Sequence, residues 1–212
     1  MSKQLLTEFI GTFFLVLTVG LTVLNGTPFA PLAIGSSLMI MVYMGGHISG
    51  GHYNPAVSLA AFLRGKLDSK SLLPYWAAQL AGGIVASVVA GYLMGSTFAP
   101  APSPGHTLVH AILVEFLFTF ALCLVVLNTA TATATSGNSN YGLAIGFTVV
   151  VGAFAGGPIS GGAFNPAVGI APAIVNMVMG GGSFGPAWIY LVGPLLGGYA
   201  AAMVFKKQNP GD

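Results

Sequence analysis

The ten residues Ile48-Ser49-Gly50-Gly51-His52-Tyr53-Asn54-Pro55-Ala56-Val57 return as Ile159-Ser160-Gly161-Gly162-Ala163-Phe164-Asn165-Pro166-Ala167-Val168, differing only at His52 against Ala163 and Tyr53 against Phe164. A shorter echo, Glu8-Phe9-x-x-Thr12-Phe13, returns as Glu115-Phe116-x-x-Thr119-Phe120. Self-similarity of this quality marks a duplicated structural unit, and any fold for the chain has to accommodate two copies of it. Each copy contains three long apolar stretches. An odd number of crossings turns the second copy upside down in a bilayer, so the duplication predicts an inverted repeat.

The bilayer itself follows from composition. Apolar residues make up 55% of the chain and charged residues 5%, which is outside the soluble globular range. Six stretches are long enough to cross: near Leu5–Leu24, Pro31–Gly46, Leu72–Gly95, Thr107–Leu127, Tyr141–Gly156 and Pro186–Phe205. Glu8 interrupts the start of the first, and no small-residue cleavage site follows it, so it reads as a retained helix rather than a signal peptide. The 212 residues leave no room for a separate soluble domain, so 1–212 reads as one membrane domain with halves at about 1–100 and 104–212. The basic residues sit at three places: Lys3, the group Arg64, Lys66 and Lys70, and the pair Lys206 and Lys207. With six spans these share one side. The positive-inside rule makes that side cytoplasmic, together with both termini and the uncharged linker Asn128–Asn140. Loops near Asn25–Thr27, Ser96–His106 and Gly157–Gly185 then face outward. Tyr75, Trp76, Trp188 and Tyr190 fall at span ends, where amphipathic rings favour the headgroup zone. Gly82, Gly83, Gly193 and Gly197 suit close helix packing. Basic residues this few and so placed imply no nucleic-acid partner. Cys123 is the only cysteine, which rules out an internal disulfide and a thiol metal cluster.

The echoed loops are Gly-rich and continue into apolar stretches too short to span, Ala56–Leu63 and Ala167–Val175. Each reads as a re-entrant half-helix. Irregular backbone at membrane depth is tolerated where it is buried in protein or lines a watery cavity, so a cavity between the halves is implied. Asn is a strong N-cap and Pro suits the first helical position, so Asn54-Pro55-Ala56 and Asn165-Pro166-Ala167 start the two half-helices. With the side-chain oxygen spent on the cap, the amide NH2 is left to donate into the cavity, where water oxygens accept. Both helix N-termini also direct partial positive charge there, opposing cations and hydrated protons. A single Asn-Pro would be an ordinary turn before a helix; a pair on inverted repeats points to a pore centre.

Paired Asn-Pro-Ala boxes, Glu-Phe-x-x-Thr at the start of each half and six spans together resemble the aquaporin (major intrinsic protein) family throughout the chain. The resemblance implies an all-α membrane channel of six transmembrane helices and two half-helices, with water and small neutral solutes as cargo. It further implies a homotetramer with one pore per subunit, set among membrane lipid in the plasma (inner) membrane. By the same resemblance, Gly50, Gly51, His52, Gly161, Gly162 and Ala163 turn carbonyl oxygens into the pore, and Leu15, Leu38, Leu122 and Val149 supply its apolar wall. The selectivity constriction falls on Ile34, Ala153, Gly162 and Val168. Most relatives carry arginine at the last of these, with an aromatic residue and a histidine nearby. Val168 followed by Gly169 also departs from glycerol facilitators, which have arginine followed by an acid. The collar is therefore predicted to be wide, apolar and without fixed positive charge unless loop residues fill it.

Glu8 and Glu115 lie inside spans, where an ionisable group is costly. One reading makes them a proton relay; the repeat symmetry favours the other, that each accepts hydrogen bonds from its half's loop N–H groups. His47 is placed to line the cytoplasmic mouth. His106 and His110 lack an Asp, Glu or Cys shell, so no metal site is predicted. No nucleophile, base or cofactor loop supports an enzyme or implies a cofactor. An inverted-repeat secondary transporter and a cation-leaky channel are the alternatives: the first needs a coupling site, and the second follows from the missing arginine.

Overall fold

The computed structural model describes residues 1–212 and is helical throughout. Its α-helices are α1 (Lys3–Leu24), α2 (Ala30–Ser49), α3 (Pro55–Arg64), α4 (Ser69–Met94), α5 (Leu108–Val126), α6 (Tyr141–Ser160), α7 (Pro166–Met179) and α8 (Ile189–Gln208). All but α3 and α7 are long and apolar enough to cross a membrane. A π-turn carries α5 on to Thr131, and a 3-10 turn, Gly185–Trp188, leads into α8.

Helix boundaries follow local chemistry. Ser2, Asp68 and Thr107 cap α1, α4 and α5 by accepting from first-turn N–H groups. The echoed glycines stop α2 and α6, with Gly50 at φ 90° and Gly161 at φ 89°, a left-handed conformation that costs glycine little. The fifth span was expected to end near Gly156, but α6 runs through Pro158 to Ser160.

The two halves repeat the same packing and then interlock. α1 lies along α4 and α5 along α8, α1 meets α2 as α5 meets α6, and α2 crosses α6 at the centre of the molecule. At that crossing Gly35 and Gly146 face each other, and a Cβ on either would come within 2.5 Å of the other's carbonyl oxygen. Lipid offers no hydrophobic drive for helix pairing, so this backbone approach and its dispersion contacts hold the halves together. Each half-helix packs on the opposite half, α3 on α8 and α7 on α4. Gly198 admits the Ala56 carbonyl, and Gly83 admits the Ala171 methyl.

Two aromatic residues lie elsewhere than the headgroup zone. Tyr75 is 5% exposed and Tyr190 is fully buried. The Tyr75 hydroxyl donates to the Ser49 carbonyl at 2.9 Å, and the Tyr190 hydroxyl donates to the Ser160 carbonyl. These rings satisfy carbonyls that α2 and α6 leave orphaned at their ends. Trp188 remains exposed, while Trp76 is partly buried and donates to the Pro55 carbonyl at 3.0 Å. The Asn128–Asn140 linker is compact: Thr129 and Thr131 hydroxyls donate back to Val125 and Leu127 carbonyls, and the Asn138 amide donates to Thr129 and Thr135 carbonyls.

Candidate functional site

The site begins with two buried carboxylates that hold the echoed loops. Glu8 Oε1 accepts from the Ser49 hydroxyl at 2.7 Å and the His52 N–H at 2.9 Å, and its Oε2 accepts from the Tyr53 N–H at 2.7 Å. Glu115 does the same for the second loop, accepting from the Ser160 hydroxyl at 2.7 Å, the Ala163 N–H at 3.0 Å and the Phe164 N–H at 2.6 Å. With its loop's N–H groups taken up by a carboxylate, each loop can leave carbonyl oxygens unspent. Tyr53 and Phe164 both take φ 49°, a strained value for an aromatic residue that the carboxylate bonds offset. The first half adds a further layer: the Gln79 amide donates to Glu8 Oε2 at 2.8 Å and to Ser58 Oγ at 2.9 Å. Ser58 Oγ in turn lies 3.1 Å from His52 Nδ1.

The loops deliver the two asparagines to one place. Asn54 Oδ1 accepts from the Ala56 N–H and Asn165 Oδ1 from the Ala167 N–H, both at 2.9 Å, with Pro55 and Pro166 at the first helical position. The amide groups are not wholly free, as the sequence reading had them. Asn54 Nδ2 donates to the Phe164 carbonyl at 3.0 Å, and Asn165 Nδ2 donates to the Tyr53 carbonyl at 2.8 Å. Each amide has two N–H groups, so one fixes the opposite loop and one is left. The crossed bonds tie the N-termini of α3 and α7 together with their partial positive ends converging.

A cavity of about 230 Å³ passes both asparagines. Val23 and Pro31 line it together with Ile34, Ala153, Gly162 and Val168, and no lysine or arginine does. Leu15, Leu38, Leu122 and Val149 line it, as do Gly51, His52, Gly161 and Ala163. A second, more polar cavity of about 800 Å³ opens at the basic end, where Gly50, His47, Lys66 and the linker threonines line it. Gly50 thus sits beyond the first cavity, while the other five glycine-loop residues border it.

A family model described as major intrinsic protein matches residues 1–205. The chain belongs to that family. Aquaporin NIP1-3 of Oryza sativa subsp. japonica is 37% identical over 217 residues, covering 97% of this chain and 73% of its own. Aquaporin TIP1-1 of Arabidopsis thaliana is 33% identical over 223 residues, covering 96% of this chain and 86% of its own. The solved structure of the aquaglyceroporin from Plasmodium falciparum superposes with a TM-score of 0.88 at 23% identity, over 97% of this chain and 95% of that one, a likeness of fold. Members of the family are channels, so this aquaporin relative is an integral membrane channel and not an enzyme.

In this family member the region around Ile34 and Val168 contains no charged side chain. The wall there includes residues that sequence reasoning placed in a surface loop: Phe98, Ala99 and Pro100 border the cavity, and Phe98 is only 8% exposed. The loop is pinned by the Ser103 N–H donating to the Ile159 carbonyl at 3.1 Å. Val126 and Ile145 border both cavities and were also missed. Their only sequence signal is correspondence to Val19 and Ile34 in the other half.

Proposed function

We propose that the chain is a passive channel for water and for small neutral solutes such as ammonia, urea, hydrogen peroxide and glycerol, with one pore in each subunit of a homotetramer. The reading rests above all on the cavity that passes Asn54 and Asn165 at the joined N-termini of α3 and α7. Loop carbonyls on one side and hydrocarbon on the other offset the dehydration of water while leaving few sites to hold it. Solutes wider than water enter the proposal because Ile34, Ala153, Gly162 and Val168 form a collar of small or apolar groups. Residues 1–212 act as one channel domain with halves at about 1–100 and 104–212. Both termini lie in the cytoplasm of a plasma (inner) membrane, since with six spans Lys3, Arg64, Lys66, Lys70, Lys206 and Lys207 fall on one side. Stopped-flow light scattering on proteoliposomes tests the function. Water and at least one larger neutral solute should cross faster than in empty liposomes. Water permeability equal to the empty control refutes the channel for water, and exclusion of every larger solute refutes the broader range.

A further inference from the structure

The collar at Ile34, Ala153, Gly162 and Val168 does not interrupt the first cavity, which continues through it to the asparagines and beyond. The break comes nearer the basic end, where the two cavities share only His52, Val126 and Ile145. The repeat explains why. The inverted counterparts of Ile34, Ala153, Gly162 and Val168 are Ile145, Val42, Gly51 and Val57, so the duplication builds a second collar at the opposite depth. Valine replaces alanine in it. The larger mismatch in the ten-residue echo, His52 for Ala163, then adds an imidazole where the second half has a methyl group.

That imidazole is held in place. Its Nδ1 meets Ser58 Oγ, which Gln79 fixes, and its ring lies 5.4 Å from the Tyr75 ring, itself pinned to the Ser49 carbonyl. The second half has Gly169 and Pro194 where the first has Ser58 and Gln79, so the bracing belongs to one end alone. We infer that His52, Val126 and Ile145 form the size-selecting constriction of this channel, in place of the collar at Ile34 and Val168. A solute that clears the asparagines is sorted there by width, between a braced ring and two branched side chains.

This inference rests on the proposed channel function, and the test separates the two. Proteoliposomes containing the wild type, Val126→Ala, Ile145→Ala or Ile34→Ala are compared for water, urea and glycerol uptake, each protein first checked as a single species by gel filtration in detergent. Removing a wall group from an apolar passage changes discrimination by about tenfold or more. Val126→Ala or Ile145→Ala should raise the glycerol-to-water ratio by about that factor, and Ile34→Ala by less than about twofold. Water conduction with ratios unchanged in both inner variants, or raised chiefly by Ile34→Ala, overturns the inference and leaves the channel standing. Wild-type water permeability equal to empty liposomes overturns both. Two inner variants guard against one of them failing to fold.

Discussion

At the scale of single residues, Glu8 and Glu115 make the irregular loops tolerable inside a bilayer. Glu115 takes up one hydroxyl and two backbone N–H donors that have no water to turn to. Glu115→Ala should leave both N–H groups unsatisfied and the Ser160 hydroxyl with only the Gly156 carbonyl at 3.4 Å, lowering stability in detergent by about 2 kcal/mol or more. Glu115→Gln, which keeps an acceptor oxygen, should lose less; thermal unfolding of the two variants side by side checks the order. Val168 is 6% exposed and faces the first cavity. Val168→Arg would place a long cation across the collar, so glycerol and urea uptake should fall well below wild type, and unchanged uptake would contradict the placement of this residue. The acids and the Asn-Pro-Ala boxes were legible because duplication singles out residues that composition alone cannot. Tyr75 and Tyr190 were misread: a tyrosine near a span end looks the same in sequence whether its hydroxyl meets a headgroup or an orphaned helix carbonyl.

At the scale of elements, spans were legible to within a few residues because a bilayer sets a minimum apolar length. Their ends were less so. α6 continues past Gly156 with Pro158 inside it and stops only where Gly161 takes the left-handed conformation at its C-cap. The inward course of Phe98–Pro100 depends on a bond to Ile159 far along the chain, which no local pattern encodes. The start of α4, at the basic end, offers a direct test of local chemistry. Asp68 caps it, and the Ser71 hydroxyl, then the Lys70 and Ser71 N–H groups, hold the carboxyl below its ordinary range. A depressed carboxylate stabilises above its unfolded value and loses that effect as pH falls through the folded one. The first turn of α4 should therefore stay protected at neutral pH and fray only in acid below the usual carboxylate range. Asp68→Asn should diminish the protection already at neutral pH, as hydrogen exchange at Lys70 and Ser71 would report.

At the scale of the whole molecule, the inverted repeat brings the N-termini of two half-helices together from opposite faces, crossed by Asn54–Phe164 and Asn165–Tyr53 hydrogen bonds. On the proposed function, the converging partial positive charges would oppose any cation at the point where neutral solutes meet amide donors. No lysine or arginine lines the first cavity to supply that barrier instead. In the proposed channel, charge rejection would therefore fall to the backbone. The decisive measurement follows water and protons in the same proteoliposomes, water by light scattering after an osmotic step and protons by an internal pH dye under an imposed potential. Water permeability should rise above the empty control while proton flux stays at the control level. Water that moves no faster than in empty vesicles, or protons that cross along with it, would contradict the account.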